Sequence, residues 1–194
     1  MFQIRIHGRG GQGVVSAAEM LSVAAFLEGR HAQAFPSFGS ERMGAPVMAF
    51  CRIDDREIRL REPVVRPDAL LIQDPTLLHQ VDLFSGLAAD GFIVVNSTRS
   101  FAQLGIEDVT RRFPADHLCI VAATELALKH VGRPLPNAAL LGAFAALTRQ
   151  VRLEAVTRAI RDKFPGKVGE ANAAAAQAAF DAAGAQAPKE AAHA

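Results

Sequence analysis

The chain has 194 residues, half of them hydrophobic, with 21 Lys and Arg against 20 Asp and Glu for a formal net charge of +1. That is one domain's worth of sequence with material for a sizeable core, and so balanced a charge excludes a molecule-wide field that would draw nucleic acid or anionic lipid. Trp and Tyr are absent, which argues against base stacking on an aromatic platform, and no apolar run is long enough for a membrane span.

Phe2–His7 alternates apolar and polar residues and predicts a strand. Because it begins at once, no secretory leader is read, and a cytoplasmic location is the default expectation. Gly8-Arg9-Gly10-Gly11-Gln12-Gly13 follows directly, and Val14–Glu28 then predicts a helix with apolar positions at Val15, Ala18, Met20, Leu21, Ala24, Ala25 and Leu27. Strand, glycine-rich turn, helix is an arrangement that binds phosphate esters. Glycine lets a ligand approach the backbone, and the helix start offers free N–H groups to an anion. Gly8, Gly10 and Gly13 fit G-x-G-x-x-G, although the same glycines also serve a tight turn that binds nothing. A nicotinamide site needs, in addition, an acidic residue about 20 positions on, at the end of the second strand. That strand, Ala32–Phe35, ends in Phe35-Pro36-Ser37, and Glu28 belongs to the end of the first helix. The NAD reading lacks one of its two supports.

Pro36–Pro46 reads as a long loop rich in turn residues, with Glu41, Arg42 and Met43 within it. Val47–Ile53 predicts a strand, Asp54-Asp55 a turn, and Glu57–Arg61 a hairpin partner. Ala69–Ile72 is a buried strand ending at Gln73-Asp74-Pro75, followed by a helix from Thr76 to Leu87 that closes near Gly86. Phe92–Val95 and Leu118–Ala122 are further buried strands. Helices follow at Thr124–Val131, Ala138–Thr148 and Leu153–Phe164, the last with Leu153, Val156, Ile160 and Phe164 on one stripe. From Glu170 the composition turns to alanine. Ala171–Ala183 suits a helix by propensity, with Phe180 as its firm apolar anchor, and Pro188–Ala194 reads as a disordered tail. The expected division is a domain over 1–168 and an alanine-rich helix and tail over 169–194.

Short apolar strands alternating with helices specify an α/β fold: a mainly parallel sheet with helices on both faces, a Rossmann-like first βα unit and one short hairpin. In such sheets the ligand crevice lies beyond the carboxyl ends of the strands. That places Gly8–Gly13, Pro36–Pro46, Asp74-Pro75 and Asn96–Arg99 at one edge. Arg9, Arg42 and Arg99 are candidates to cluster there, since arginine forks match phosphate and carboxylate. The Gln12 amide can hold a substrate oxygen or a neighbouring chain, or simply sit exposed. His7 reads as a satisfied, partly buried histidine, and Asn96-Ser97-Thr98 as a phosphate contact or a helix cap. Cys51 and Cys119, the two cysteines, lie in apolar runs and read as reduced core thiols. They cannot supply a four-cysteine iron–sulfur site, and the six histidines show no metal-ligand spacing. There is no nucleophile elbow, no P-loop Lys-Ser/Thr pair and no paired carboxylates at strand ends. The residues describe a phosphate-ester-binding α/β domain without a catalytic set of its own.

Ile4-Arg5-Ile6-His7-Gly8-Arg9-Gly10-Gly11-Gln12-Gly13 and, further on, Ala34-Phe35-Pro36-Ser37-Phe38-Gly39-Ser40-Glu41-Arg42-Met43-Gly44-Ala45-Pro46-Val47 closely resemble the gamma subunit of 2-oxoacid:ferredoxin oxidoreductases, of which pyruvate:ferredoxin oxidoreductase is the best-known member. The resemblance covers roughly residues 3 to 165. It implies a multisubunit enzyme that oxidatively decarboxylates a 2-oxoacid to an acyl-CoA. Thiamine diphosphate and Mg would lie in partner alpha and beta subunits. 4Fe-4S clusters would lie in beta and a ferredoxin-like delta subunit, and ferredoxin or, through a flavin subunit, NAD would accept electrons. It implies that this chain contributes to the coenzyme A site and to assembly, with Gly8, Arg9, Gly10, Gly11, Gln12, Gly13, Phe38 and Arg42 as the cofactor-binding residues and no catalytic or metal residue of its own. Coenzyme A carries a 3′-phospho-ADP head, which suits the glycine turn without a ribose-binding acid. Met43, where relatives carry a basic residue, and Phe38, often tyrosine, depart from the pattern. Phenylglyoxylate is as compatible as pyruvate. Two other readings are a free-standing NAD(P)- or FAD-binding Rossmann oxidoreductase and a scaffold whose glycine turn touches no ligand.

Overall fold

The computed structural model describes residues 1–37 and 43–186. Phe38 and Arg42, with the rest of 38–42, and the expected tail Pro188–Ala194 lie outside the described residues. Six strands, β1 (Phe2–Arg9), β2 (His31–Pro36), β3 (Pro46–Asp54), β4 (Ala69–Ile72), β5 (Phe92–Asn96) and β6 (Leu118–Val121), form one sheet in the order β2-β3-β1-β4-β5-β6. β1, β4, β5 and β6 pair in parallel, whereas β3 runs antiparallel to both of its neighbours. The antiparallel hairpin is therefore β2–β3. Glu57–Arg61 forms no strand: β3, its expected partner, is already paired on both sides.

The helices of the described residues are α1 (Val14–Leu27), the single-turn α2 (Glu107–Thr110), α3 (Ala123–Val131), α4 (Asn137–Thr148), α5 (Leu153–Lys163) and α6 (Lys167–Gly184). Ile4 and Ile6 of β1 point to the face covered by α1 and α4, where most of the core lies. α4 is apolar nearly all round because almost all of it is interior: it packs on the sheet below and most extensively on α6 above. The alanine-rich helix is thus a core element running over Lys167–Gly184. Phe180 is only half-buried, and the anchoring surface is instead Gly169, Asn172, Ala173, Ala176, Ala179 and Ala183, at i, i+3, i+4 spacing. The expected division at 168/169 falls inside this helix.

On the opposite face, Leu77, Leu83, Leu104 and Ile106 from the irregular connections close over Ile72, Ile93 and Val95. Thr76–Leu87 is not a helix there but a short 3₁₀ segment, Pro75–His79, followed by turns. Arg5 of β1 is buried, and its Nη2 donates to Leu83 O (2.7 Å) and Ser85 O (2.8 Å), which ties these turns to the sheet. Its Nε donates to His7 Nε2 (3.1 Å). Arg52 of β3, 2% exposed, is satisfied in the same way, by Gln3 Oε1 and Glu62 O, and lies over the Phe35 ring. Two buried guanidiniums therefore organise the connections on this face. Cys51 and Cys119 are free thiols in β3 and β6. Burial pushes the Cys51 thiol far up and the Cys119 thiol up to about 12, so neither is a nucleophile.

Candidate functional site

The carboxyl ends of β1, β4 and β5 meet at one edge, as parallel pairing requires. β1 ends in the glycine turn, and each glycine has a job. A Cβ on Gly8 would lie 2.6 Å from Val14 Cγ2, so Gly8 leaves room for the start of α1. Gly11 (φ +92) and Gly13 (φ +73) hold left-handed backbone that other residues resist. The turn is locked from both sides. Gly10 N–H donates to Ala45 O (2.9 Å), Gly44 N–H donates to Gly10 O (3.1 Å), and Gln12 N–H donates to Arg9 O (3.0 Å).

Gln12 and Arg9 are both turned inward to the turn. Gln12 Oε1 accepts from Arg9 N–H (2.8 Å), and Gln12 Nε2 donates to Asp74 Oδ2 (2.8 Å). Its amide braces β1 to the end of β4. The Arg9 guanidinium pairs with Asp74 Oδ2 (3.2 Å) and donates to Thr76 Oγ1 (2.7 Å), Gln80 Oε1 (2.8 Å) and Gly44 O (3.0 Å). Burial works to raise the Asp74 pKa, but hydrogen bonds from Thr76 and Gln12 and the charge of Arg9 outweigh it and hold the carboxyl below its usual range. Asp74 stays ionised and caps the 3₁₀ turn through Thr76 N–H (2.9 Å).

α1 begins with no side-chain cap, and its first bond runs from Ala17 N–H to Gly13 O (2.9 Å). Among the described residues the N–H groups of Val14, Val15 and Ser16 therefore have no backbone or capping acceptor, and they sit at the positive end of the helix dipole. They border an open cavity of about 310 Å³ lined by Arg9, Gly10, Gly11, Gly13 and Val47 besides themselves. On the other side of Gly10-Gly11 lies a second cavity, about 430 Å³, whose walls include Gln73, Asp74, Asn96, Thr124 and Leu135.

Asn96 acts within the fold. Its Nδ2 donates to Gln73 O and Thr124 Oγ1 (both 2.8 Å), and its Oδ1 accepts from Thr124 N–H (3.0 Å), capping α3 across the sheet. Ser97 Oγ accepts from Arg99 N–H (2.9 Å). Arg99 is exposed and lines neither cavity, so the expected cluster of Arg9 with Arg99 does not form. Glu28 lies at the far end of α1 and receives Arg152 N–H (2.8 Å) and Nε (3.0 Å), so it reads no ribose. The dinucleotide reading fails on topology as well: the strand beside β1 on that side is the reversed β3, not a parallel β2. His7 is buried beside Arg5, away from both cavities, and burial first, then the Arg5 charge, pull its pKa down to about 3. Among the described residues no group of three or more His, Cys, Asp or Glu is placed to hold a metal, and no helix is long and apolar enough to cross a membrane.

The glycine turn, Asp74-Pro75 and Asn96 were expected at this edge from their places at strand ends. Gln73 and Thr124 were not singled out. Gln73 had a signal, a polar residue continuing a buried apolar strand, whereas Thr124 had only its place in the first turn of an expected helix.

The profile of the family described as pyruvate ferredoxin/flavodoxin oxidoreductase matches residues 3–182, so the likeness extends over most of α6 rather than stopping near 165. The chain is 48% identical over 181 residues to the pyruvate/ketoisovalerate oxidoreductases common subunit gamma of Pyrococcus abyssi, covering 93% of this chain and 96% of that one. It is equally identical, with the same coverage, to a pyruvate synthase subunit of Methanocaldococcus jannaschii. The crystal structure of a pyruvate oxidoreductase subunit from Thermotoga maritima superposes with a TM-score of 0.78 at 38% identity, covering 93% of this chain and 96% of that one. The chain belongs to the pyruvate ferredoxin/flavodoxin oxidoreductase family, as a gamma-type subunit of a 2-oxoacid oxidoreductase complex.

Proposed function

We propose that this subunit holds the phosphate end of coenzyme A at the start of α1 while partner chains carry out the oxidative decarboxylation. The observation that carries this reading is the row of three N–H groups, Val14, Val15 and Ser16, which have no acceptor among the described residues and border a cavity lined by Gly10, Gly11 and Gly13. Backbone donors at a helix N-terminus suit a phosphate, and glycine removes the Cβ atoms that would keep it away. The glycine turn is the cradle, and Arg9 and Gln12 are the residues that fix its shape.

The chemistry assigned to the complex converts a 2-oxoacid and coenzyme A to an acyl-CoA and CO₂, with two electrons passing to an acceptor. This chain has two buried, separated cysteines and so offers no ligand set for a cluster. Thiamine diphosphate, Mg and the 4Fe-4S centres are placed in alpha, beta and ferredoxin-like delta partners, and the choice between pyruvate and a bulkier 2-oxoacid rests with them too.

A carboxylate in the first turn separates ligand binding from folding. Ser16→Asp places a negative charge where the helix dipole favours it, so the melting temperature of the purified complex holds or rises. The same charge repels a phosphate, and the KM for coenzyme A is expected to rise about tenfold or more, the effect of losing roughly one charge-assisted contact. An unchanged KM would remove coenzyme A from this cavity and leave the chain a scaffold.

A further inference from the structure

The two edges of the sheet are finished differently. At β6 the Gln186 side chain does what a neighbouring strand would do: its Nε2 donates to Ile120 O (2.7 Å), and its Oε1 accepts from Ile120 N–H (3.4 Å). At β2, the opposite edge, the outer side has no partner among the described residues. Residues of an antiparallel strand bond to a given neighbour alternately. Ser37 N–H donates to Met48 O (2.8 Å), so Phe35, Gln33 and His31 bond to β3 in turn. Ala32 and Ala34 therefore turn both N–H and O outward, and Pro36 turns its O.

Open edges are ordinarily blunted by charge, a bulge or a covering segment. β2 holds no Lys, Arg, Asp or Glu, and its register with β3 runs unbroken. Only Pro36, at its end, withdraws a donor. Apolar surface continues from this edge onto α1. Val15, Ser22 and Phe26 recur at i, i+7 and i+11 and share one flank of the helix. On that flank Val15 lines a cavity with Val47 of β3, whereas Glu19 and Val23 are turned to α5, with Lys163 on Glu19 (2.8 Å). Phe26, 72% exposed, is the most exposed large apolar side chain on the described helices and strands, and the chain turns from it at Gly29 into β2.

The edge is complementary to itself. With Gln33 opposite Gln33 of a second copy, Ala32 and Ala34 of each chain meet Ala34 and Ala32 of the other, and the two outward N–H and two outward O groups on each side make four bonds. A two-fold axis sets like residues near one another, so a self-pairing strand has to be uncharged, as β2 is. A foreign strand carries no such requirement and is commonly matched by opposite charge.

We propose that β2 is the seam of a two-fold dimer of this chain, its outer edge pairing antiparallel with β2 of a second copy so that two six-stranded sheets become one. The flank of each α1 that carries Phe26 then lies against the α1 of the other copy and loses its exposure.

Sedimentation equilibrium of the purified full chain reads the association directly. The expected result is a dimer whose dissociation constant rises about tenfold or more in Ala34→Pro. That change removes two of the four bonds across the seam and none within the chain, because Ala34 N–H points away from β3. Gln33→Glu is the second variant. Within the chain its carboxylate gains Arg52, whose Nη1 already lies 3.5 Å from Gln33 Oε1, so the fold holds. Across the two-fold, two carboxylates oppose each other and the dimer weakens. If Ala34→Pro fails to fold, Gln33→Glu decides alone. A chain that stays monomeric, or a dimer that neither variant weakens, overturns the proposal. So does an Ala34→Pro chain that is lost from the purified complex with its self-association unchanged, which would give β2 to a strand of a partner subunit.

Discussion

Gly142→Ala is expected to cost about 2 kcal/mol of folding stability, a large effect for a single methyl group. A Cβ on Gly142 would lie 1.9 Å from Ala176 O, 2.6 Å from Ala176 C and 2.9 Å from Ala176 Cα. No side chain can swing aside, since the obstacle is the backbone of α6, so α4 and α6 must separate. Overpacking of this kind costs about 1–3 kcal/mol, occasionally more, against about 1 kcal/mol gained from alanine's better helix propensity. α4 lies between the sheet and α6, so the separation is felt through the whole core. The check is a urea titration of the full chain: the midpoint falls with the slope unchanged. Adding Ala176→Gly does not rescue it, because the carbonyl remains. A midpoint that holds or rises would show that the two helices do not touch at this point.

The second expectation concerns acid. His7 is buried against the Arg5 guanidinium, and its folded pKa of about 3 lies well below the 6.5 of a free histidine. Between those values the unfolded chain binds a proton that the folded chain refuses. The stability from this group is therefore complete above pH 6.5 and is lost as the pH falls toward about 3. At pH 4.5, two units below the free value, the loss is about 3 kcal/mol at 1.36 kcal/mol per unit. His7→Gln retains an acceptor for Arg5 Nε without titrating, so the stability difference between pH 7.5 and pH 4.5, taken as urea midpoint times slope, should shrink by about that amount. Parallel pH profiles for the two proteins would show that His7 is not part of the acid transition.

How much of this was legible in the sequence depended on how far away the deciding atoms were. The strands and the β1–α1 turn were readable because apolar runs and clustered glycines are local signals, and the edge where Gly10, Asp74 and Asn96 meet followed from parallel pairing alone. The Thr76–Leu87 stretch misled because the contacts that hold its turns come from Arg5, about 80 residues earlier, and leave no local trace. Glu57–Arg61 has strand-like alternation, but pairing needs a free edge, and β3 has none. Alanine in α6 carries little hydrophobic pattern of its own, and its meaning emerges only opposite Gly142.

The reversed direction of β3 has an effect on ligand association. Because it runs against β1, its first residues lie at the edge where β1 ends, and Gly44 and Ala45 lace the glycine turn to a second stretch of chain. A bare glycine loop would sample many shapes and surrender that freedom on meeting its guest. Here the donors are held in place beforehand, so little entropy is forfeited on capture and more of the contact energy appears as affinity.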